Sequence, residues 1–264
     1  MPLRRRALLL AAPALLPTAA ARAQGAGPDG PALVAAASDL QFALEEVAAR
    51  FRADTGLDAR LVFGSSGNLA RQAEQGAPFQ LFMSADEGFV LRLAERGVAR
   101  ARGTLYAEGR IVLFAPPGSP VRVDERLDGL RTALDAGRVQ RFAIANPEHA
   151  PYGRAAEQAL RTAGLWDPIQ PRLVLGENIS QAMQFATAAG AQGGIVALSL
   201  ARAPQTQGRG TWALLPHTWH KPLLQCMALL RPAGAAAERF YDYMQAPAAR
   251  EVMRRYGFAL PGEG

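Results

Sequence analysis

Strand-like apolar runs alternate with helix-like amphipathic runs along nearly the whole chain. A first apolar run over residues 32–37 precedes a segment in which apolar side chains recur at helical spacing from Leu40 to Phe51. The same order returns several times up to residue 198, and a strand-like run over residues 222–230 follows with two helices. This alternation predicts an α/β fold of two units, each a mostly parallel sheet flanked by helices. Ligands of such sheets bind beyond the carboxyl ends of the strands.

The first 23 residues have the pattern of an export signal. Arginines at residues 4–6 precede an apolar run over residues 7–16, and an A-x-A cleavage pattern ends at Ala23. The segment fits both general and twin-arginine export. It holds four arginines and no acidic residue, so its removal lowers the formal net charge from +6 to +2. No basic stripe that would favour nucleic acid remains in the mature chain.

The order of the runs predicts two lobes with a ligand cleft between them. Lobe 1 is expected to comprise residues 31–107 plus 218–264, and lobe 2 residues 108–217. Two crossings, near residues 106–109 and near His217, would then form a hinge. The single cysteine, Cys226, lies in an apolar run and is expected to be a core residue.

Four turns that follow predicted strands also open predicted helices. Two lie in lobe 1, at Ser38 and Ser66, and two lie in lobe 2, at Tyr152 and Ile179. A helix start presents unpaired backbone N–H groups at its positive end, so it can hold a small anion without a basic side chain. Ordinary capping explains each turn by itself. The functional interpretation depends on all four facing one cleft.

A group of short stretches is shared, in order and spacing, with a known family. The stretches are Ala-Ala-Ala-Ser38, Phe63-Gly-Ser-Ser66-Gly, Gly76-Ala-Pro, Phe82-Met-Ser-Ala-Asp86, Asn146-Pro-Glu-His-Ala-Pro-Tyr-Gly153, Gly194-Ile-Val-Ala197 and Tyr256-Gly-Phe258. Over nearly the whole mature sequence the chain resembles the periplasmic molybdate-binding proteins that feed an ABC transporter. The resemblance implies a type II periplasmic-binding-protein fold that closes on a tetrahedral oxyanion, molybdate or tungstate, with no further cofactor.

The resemblance also implies the ligand-binding positions. Ser38 and Ser66 match serines that each offer a hydroxyl and a backbone N–H, and Ile179 matches a backbone N–H donor. Position 152 serves through its backbone N–H in some members and through a hydroxyl in others. Some members have a tyrosine where this chain has Ala197. We therefore expect the Tyr152 hydroxyl to replace it.

Three neighbours of these positions are further candidates. Ser65 and Asn178 are possible ligand-binding residues, and Asn178 with Gln181 also resembles a capping box. Asp39 is a possible ligand-binding residue too, but its carboxylate would repel a dianion. We expect Asp39 to cap its helix and to point away from the ligand. The alternative is that it accepts a hydrogen bond from a protonated oxyanion such as hydrogen phosphate.

The resemblance further implies a membrane permease and its ATPase as partners, and we expect a monomer. The export signal predicts a periplasmic location, and because no cysteine follows the signal we expect a protein free of a lipid anchor. The resemblance describes a binding protein and not an enzyme. Three alternatives stay open: a binding protein for phosphate or sulfate, a serine hydrolase, and the ligand-sensing domain of a regulator. The turn at Ser65 and Ser66 departs from the G-x-S-x-G pattern of hydrolases. His217 and His220 have no acidic or cysteine companions that would make a metal site.

Overall fold

The structure of the protein, a computed structural model, describes residues 30–188 and 190–263. The predicted export signal over residues 1–23 lies outside the described residues. Two five-stranded sheets flanked by helices organise the described chain. The first sheet and its helices are called lobe 1: β1 (Ala32–Ala37), α1 (Gln41–Thr55), β2 (Ala59–Gly64), α2 (Ser66–Glu74), β3 (Leu81–Ser84), α3 (Glu87–Glu95), β4 (Thr104–Gly109), β10 (Leu223–Leu229), α9 (Ala235–Gln245) and α10 (Pro247–Arg255).

The second sheet and its helices are called lobe 2. They are β5 (Ile111–Ala115), α4 (Asp128–Asp135), β6 (Phe142–Ala145), α5 (Pro151–Thr162), α6 (Trp166–Ile169), β7 (Leu173–Gly176), α7 (Ile179–Ala188), β8 (Gly193–Ala197), α8 (Leu198–Ala201) and β9 (Thr211–Leu214). The chain passes between the lobes at Arg110 and again over residues 215–222. β4 therefore extends beyond residue 107, where the first segment of lobe 1 is predicted to end. The second crossing includes residue 217, where lobe 2 is predicted to end. These are the two crossings that the sequence predicts to form a hinge.

Both sheets have the same topology. The strand orders are β2-β1-β3-β10-β4 and β7-β6-β8-β5-β9. In lobe 1, β1 pairs in parallel with β2 and β3, whereas β10 pairs antiparallel with β3 and β4. In lobe 2, β6 pairs in parallel with β7 and β8, whereas β5 pairs antiparallel with β8 and β9. In each sheet, one strand runs opposite to the other four.

The predicted two-lobed α/β organisation is confirmed: four of the five strands in each sheet run in one direction, and one antiparallel strand makes each sheet mixed. The reversed strands, β5 and β10, are those that enter their lobes directly from a crossing. A strand that enters from the hinge must run opposite to strands that end on the same side. The remaining strands keep the predicted direction, and their carboxyl ends face the other lobe.

Each lobe has its own apolar core. Lobe 2 packs around Phe114 and Phe142. On one face of the lobe 1 sheet, Phe51 and Phe240 meet edge to face with ring centroids 5.0 Å apart. The other face holds Cys226, which is 3% exposed, so its prediction as a core residue is confirmed. Because close-packed cores deform little, each lobe can move about the hinge as a unit.

The shortest helices and strands are not predicted by the sequence patterns. The residues predicted as the first crossing are the end of β4, and neither β9 nor the single-turn helices α6 and α8 are predicted. Four residues contain too few repeats to reveal a period. α5 begins at Pro151, as the turn at Tyr152 predicts, because proline fits the first helical position. Among the described residues, no helix is both long and apolar enough to cross a membrane.

Candidate functional site

A small cavity lies between the lobes where four helix starts meet. α1 is preceded there by a 3-10 turn, Ser38–Leu40. The cavity is lined by Ala37, Ser38, Asp39, Gly64, Ser65, Ser66, Ala85, Ala150, Pro151, Tyr152 and Ile179. These residues follow the carboxyl ends of β1, β2, β3, β6 and β7. The structure therefore brings together the four turns that the sequence singles out.

The size and the lining of the cavity limit what it can hold. The volume of the cavity is about 10 Å³, far below the ~300–1,000 Å³ of pockets for drug-sized molecules. Within residues 30–188 and 190–263, no lysine, arginine or histidine lines the cavity, and the lining side chains that can ionise are Asp39 and Tyr152. A ligand must be small, and neutral hydrogen-bond donors must stabilise any negative charge that it carries.

The hydroxyl groups of Ser38 and Ser66 are oriented by backbone donors. The backbone N–H of Ala85 donates to Ser66 Oγ at 3.0 Å, and that of Ser180 donates to Ser38 Oγ at 3.3 Å. Both serines are almost fully buried. A hydroxyl carries one proton besides its lone pairs, so these contacts use the oxygen as an acceptor and leave the proton free to donate. Two O–H donors are thus available in the cavity wall.

Backbone N–H groups supply further donors. Ser66 is the first residue of α2, Ile179 is the first of α7 and Tyr152 is the second of α5. The N–H groups of a helix's first turn have no acceptor inside the helix, and the helix dipole makes that end favourable for negative charge. Pro151 has no N–H, so Tyr152 provides the first one of α5. Donors from both lobes therefore meet in one cavity.

Direct hydrogen bonds join the lobes around this cavity. Ser180 Oγ donates to the backbone oxygen of Ser38 at 2.8 Å. The N–H of Gly67 donates to the backbone oxygen of His149 at 3.0 Å. Further contacts between the lobes are Arg154 with Asp86, Asn68 with Glu177, and Ser199 with the backbone of Asp39. The structure is a closed form, in which a ligand between the lobes would be shielded from water.

The Tyr152 hydroxyl is engaged by protein. It donates to Asp39 Oδ2 at 2.9 Å. A phenol has a single proton, so this hydroxyl cannot also donate to an anion in the same arrangement. In this arrangement the hydroxyl does not take the place of the tyrosine absent at Ala197, and that expectation stays a prediction for the liganded protein. The backbone N–H of Tyr152 is the group left to face a ligand.

Asp39 does not point away from the cavity, which corrects the expectation for this residue. Its side chain is only 1% exposed, lies in the cavity wall and accepts hydrogen bonds from two side chains rather than capping its helix. Its Oδ2 accepts from Tyr152 and from Gln225 Nε2, the latter at 2.5 Å. Its Oδ1 has no hydrogen-bond partner among the described residues. Donors from α5 and β10 therefore determine how this carboxyl is oriented.

Two residues that sequence reasoning missed hold Asp39 in place. Tyr106 on β4 donates to Gln225 Oε1 at 2.8 Å. Since the amide oxygen is used there, the Gln225 Nε2 group turns toward Asp39. Gln225 is fully buried, and a lone polar residue in the apolar run over 222–230 is a sequence signal that could have found it.

Burial makes the Asp39 carboxyl difficult to ionise. It raises the pKa of Asp39 from 3.8 to about 7, against the opposing effect of the hydrogen bonds from Gln225 and Tyr152. Burial, and next the charge of Asp39, raise the pKa of Tyr152 well above its ordinary value. Near neutral pH, Asp39 therefore exchanges between a neutral and a charged form while Tyr152 stays protonated.

Ser65 and Asn178 make contacts at the edge of the site. Ser65 lines the cavity, and its Oγ lies 3.0 Å from His149 Nδ1 and 3.3 Å from Glu177 Oε1. Asn178 does not line it. Instead Asn178 Oδ1 caps α7 by accepting from the N–H of Gln181 at 3.0 Å, while Gln181 Oε1 accepts from the N–H of Glu177. The capping box is thus present in a shifted form, in which Asn178 caps α7.

Comparison with known proteins places both lobes in one family. Residues 32–259 match the sequence profile of bacterial extracellular solute-binding proteins. The chain is 35% identical to the molybdate-binding protein ModA of Rhodobacter capsulatus, over 87% of this chain and 88% of that protein. It is 32% identical to ModA of Escherichia coli strain K12, over 88% and 90%. The solved periplasmic molybdate-binding protein of Azotobacter vinelandii matches with a TM-score of 0.78 at 31% identity, over 87% of this chain and 99% of that one.

Replacing Asp39 by Asn is expected to stabilise the unliganded protein at about pH 8, by a few kcal/mol. The pKa of Asp39 is 3.8 ordinarily and about 7 in the fold. The stabilisation from its proton is therefore complete below about pH 4 and is lost as the pH rises to about 7. Urea unfolding of both proteins at about pH 8 and about pH 4 measures the difference. An equal difference at both pH values would contradict this account.

Asp124→Asn is a control of opposite sign. Burial is the largest single effect on Asp124 and raises its pKa, but hydrogen bonds from the backbone N–H groups of residues 129, 128 and 126 together lower the pKa below its ordinary value. Its stabilisation is present at neutral pH and is lost as the pH falls through the lowered pKa. We expect D124N to destabilise the protein at about pH 8 and to have less effect at acid pH.

Proposed function

Because this chain belongs to the bacterial extracellular solute-binding proteins, we propose that it captures molybdate in the cleft between its lobes for an ABC importer. Relatives that share both lobes are named molybdate-binding proteins. The observation that supports the proposal most directly is the convergence of four helix starts on a cavity without a basic side chain. Such a site favours a small, fully ionised anion.

The chemistry of the donors suits a tetrahedral dianion. An XO4 group with no proton can only accept hydrogen bonds, and the available groups of Ser38, Ser66, Tyr152 and Ile179 can only donate them. A hydrogen bond to a charged group contributes about 1.5–3 kcal/mol. Micromolar to nanomolar binding corresponds to about 8–12 kcal/mol, so five such bonds suffice after the costs of ordering.

Capture follows from the hinge between the lobes. In an open form, an anion would meet the donors of one lobe, and closure would add those of the other and exclude water. The hydrogen bonds between Ser180 and Ser38 and between Gly67 and His149 would stabilise the closed form. The closed monomer would then deliver the anion in the periplasm to a permease driven by an ATPase.

A serine hydrolase is the alternative function, and the contact between Ser65 and His149 is the observation that bears on it. Ser65 Oγ lies 3.0 Å from His149 Nδ1, a spacing found between a nucleophile and its base. The nearby carboxylate, Glu177, contacts Ser65 and Asn68 and does not orient the histidine. These side chains also hold the lobes together. We therefore propose a binding role, without catalysis, for the Ser65–His149 contact.

Isothermal titration of the purified mature chain with molybdate, tungstate, sulfate and phosphate at about pH 6 tests the function. Molybdate and tungstate are expected to bind in the micromolar range or tighter. The shorter bonds of sulfate keep it from reaching all donors together, so we expect at least about tenfold weaker binding. Tight phosphate binding without molybdate binding would overturn the proposal and favour an Asp39 that accepts a proton from its ligand.

Removing one of the two free hydroxyls should weaken molybdate binding. Ser38→Ala and Ser66→Ala each delete a donor to a charged ligand, so each should raise the Kd about 10- to 100-fold. Ser84→Ala is the matched control, because Ser84 is fully buried in the same lobe but donates to the backbone oxygen of Asp86 outside the cavity lining. If Ser38→Ala and Ser66→Ala bind as tightly as S84A, the assignment of these serines fails.

A methyl group at Gly67 should oppose closure. A Cβ there would lie 2.6 Å from the backbone oxygen of His149 on the other lobe. Because a carbonyl of the main chain cannot move aside cheaply, Gly67→Ala should hold the lobes apart and weaken molybdate binding about tenfold or more. Small-angle scattering should show that saturating molybdate compacts the wild type more than G67A. Equal compaction would remove this contact from the closure mechanism.

A further inference from the structure

We propose that Asp39 binds the oxyanion as a protonated acid, so that one proton is shared between Asp39 Oδ1 and an oxygen of the doubly charged ligand. The inference rests on the proposed function, because it concerns the same cavity. It goes further because it assigns the role of a hydrogen-bond donor to Asp39, the acidic side chain in the cavity lining. Oxyanion binding is then coupled to proton uptake.

The geometry leaves one oxygen of Asp39 for the ligand. Tyr152 and Gln225 both donate to Oδ2, and Tyr106 fixes the amide of Gln225 in that orientation. Oδ1 is buried without a partner, on a residue that lines the cavity. A buried carboxylate oxygen without a donor is costly. A proton on Oδ1 removes that charge and creates an O–H group that can donate to an anion.

The titratable neighbours of Asp39 carry no positive charge that could neutralise its carboxylate. Tyr152 on α5 and Tyr106 on β4 have pKa values raised well above the ordinary value, first by burial, so both stay neutral. Cys226 on β10 has its pKa raised to about 11, also first by burial. The groups from α7 and α8 that reach this turn are the hydroxyls of Ser180 and Ser199.

Basic side chains near the cleft are directed elsewhere. Arg154 on α5 bonds to Asp86 on the far side of the cleft at 2.7 Å. Arg110 lies in the crossing, where its charge acts on His220, and His149 contacts Ser65. Among the described residues, no lysine, arginine or histidine forms an ion pair with Asp39. A proton is therefore the available counter-charge.

Charge balance makes the coupling explicit. Above neutral pH the free site holds an ionised Asp39, and binding of a dianion takes one proton from solvent onto Oδ1. The complex then carries two negative charges instead of three. An ionised carboxylate about 4 Å from the anion would weaken binding by on the order of a hundredfold or more. Neutral Asp39 instead adds a short O–H···O bond of the charge-assisted kind.

Titrating the wild-type protein with molybdate from about pH 6 to about pH 9 tests the coupling. The Kd should be constant up to about pH 7 and then rise about tenfold per pH unit, because each binding event takes up one proton. Calorimetry in two buffers that differ in ionisation enthalpy should report uptake of about one proton at pH 8 to 9 and none at pH 6. Molybdate itself stays a dianion over this range.

Asp39→Asn is the decisive variant. Its amide oxygen can accept from Tyr152 and Gln225, and its NH2 group then stands where Oδ1 was, as a permanently neutral donor. Its molybdate affinity should be independent of pH, without proton uptake. Tyr152→Phe should shift the onset of the wild-type slope to higher pH, since it removes one bond that stabilises the charged form. Asp86→Asn, an acid-to-amide change at the cleft edge, should keep the wild-type slope.

Each outcome separates the two proposals. Tight molybdate binding by the wild type with no pH dependence overturns the coupling and leaves the proposed function standing. The same slope in D39N as in the wild type overturns it as well, because another group would then titrate. A folded D39N that binds no molybdate at any pH excludes a neutral donor at this position. Absence of wild-type binding even at about pH 6 overturns the proposed function itself.

Discussion

Strand direction is the constraint on which the rest of the structure depends. In both sheets, four strands end toward the cleft, and only the strand that enters from the hinge runs the other way. Helices that follow the cleft-facing ends must begin there, so their unpaired N–H groups and positive dipole ends point at one small volume. The proposed anion site therefore follows from the topology of the sheets first and from the side chains second.

Asp39 is the exception in a cavity otherwise made of donors. Two unit charges about 4 Å apart repel by about 4 kcal/mol at an effective dielectric constant of 20, more than one charged hydrogen bond of about 1.5–3 kcal/mol contributes. Keeping the carboxyl neutral therefore changes binding more than any single donor does. The fold favours that state, because burial raises the pKa of Asp39 to about 7.

Much of the fold could be predicted from the sequence, because long elements carry several periods of their pattern. The strand over residues 32–37 has the predicted bounds, and the helix predicted from Leu40 to Phe51 begins one residue later, at Gln41, and ends about one turn later, at Thr55. β9 and α8 could not be found, because four residues hold no period. The mixed direction of the sheets depends on where the chain crosses the hinge, which no local pattern records.

The sequence by itself determined which turns could hold an anion, since serines, glycines and a proline at strand-to-helix junctions encode helix starts through local backbone chemistry. Tertiary structure alone decided what those residues contact. Asp39 and Tyr152 are 113 positions apart and Asp39 and Gln225 are 186 apart. Their mutual hydrogen bonds, and the burial that sets the charge of Asp39, exist only once two lobes and a returning strand enclose the same volume.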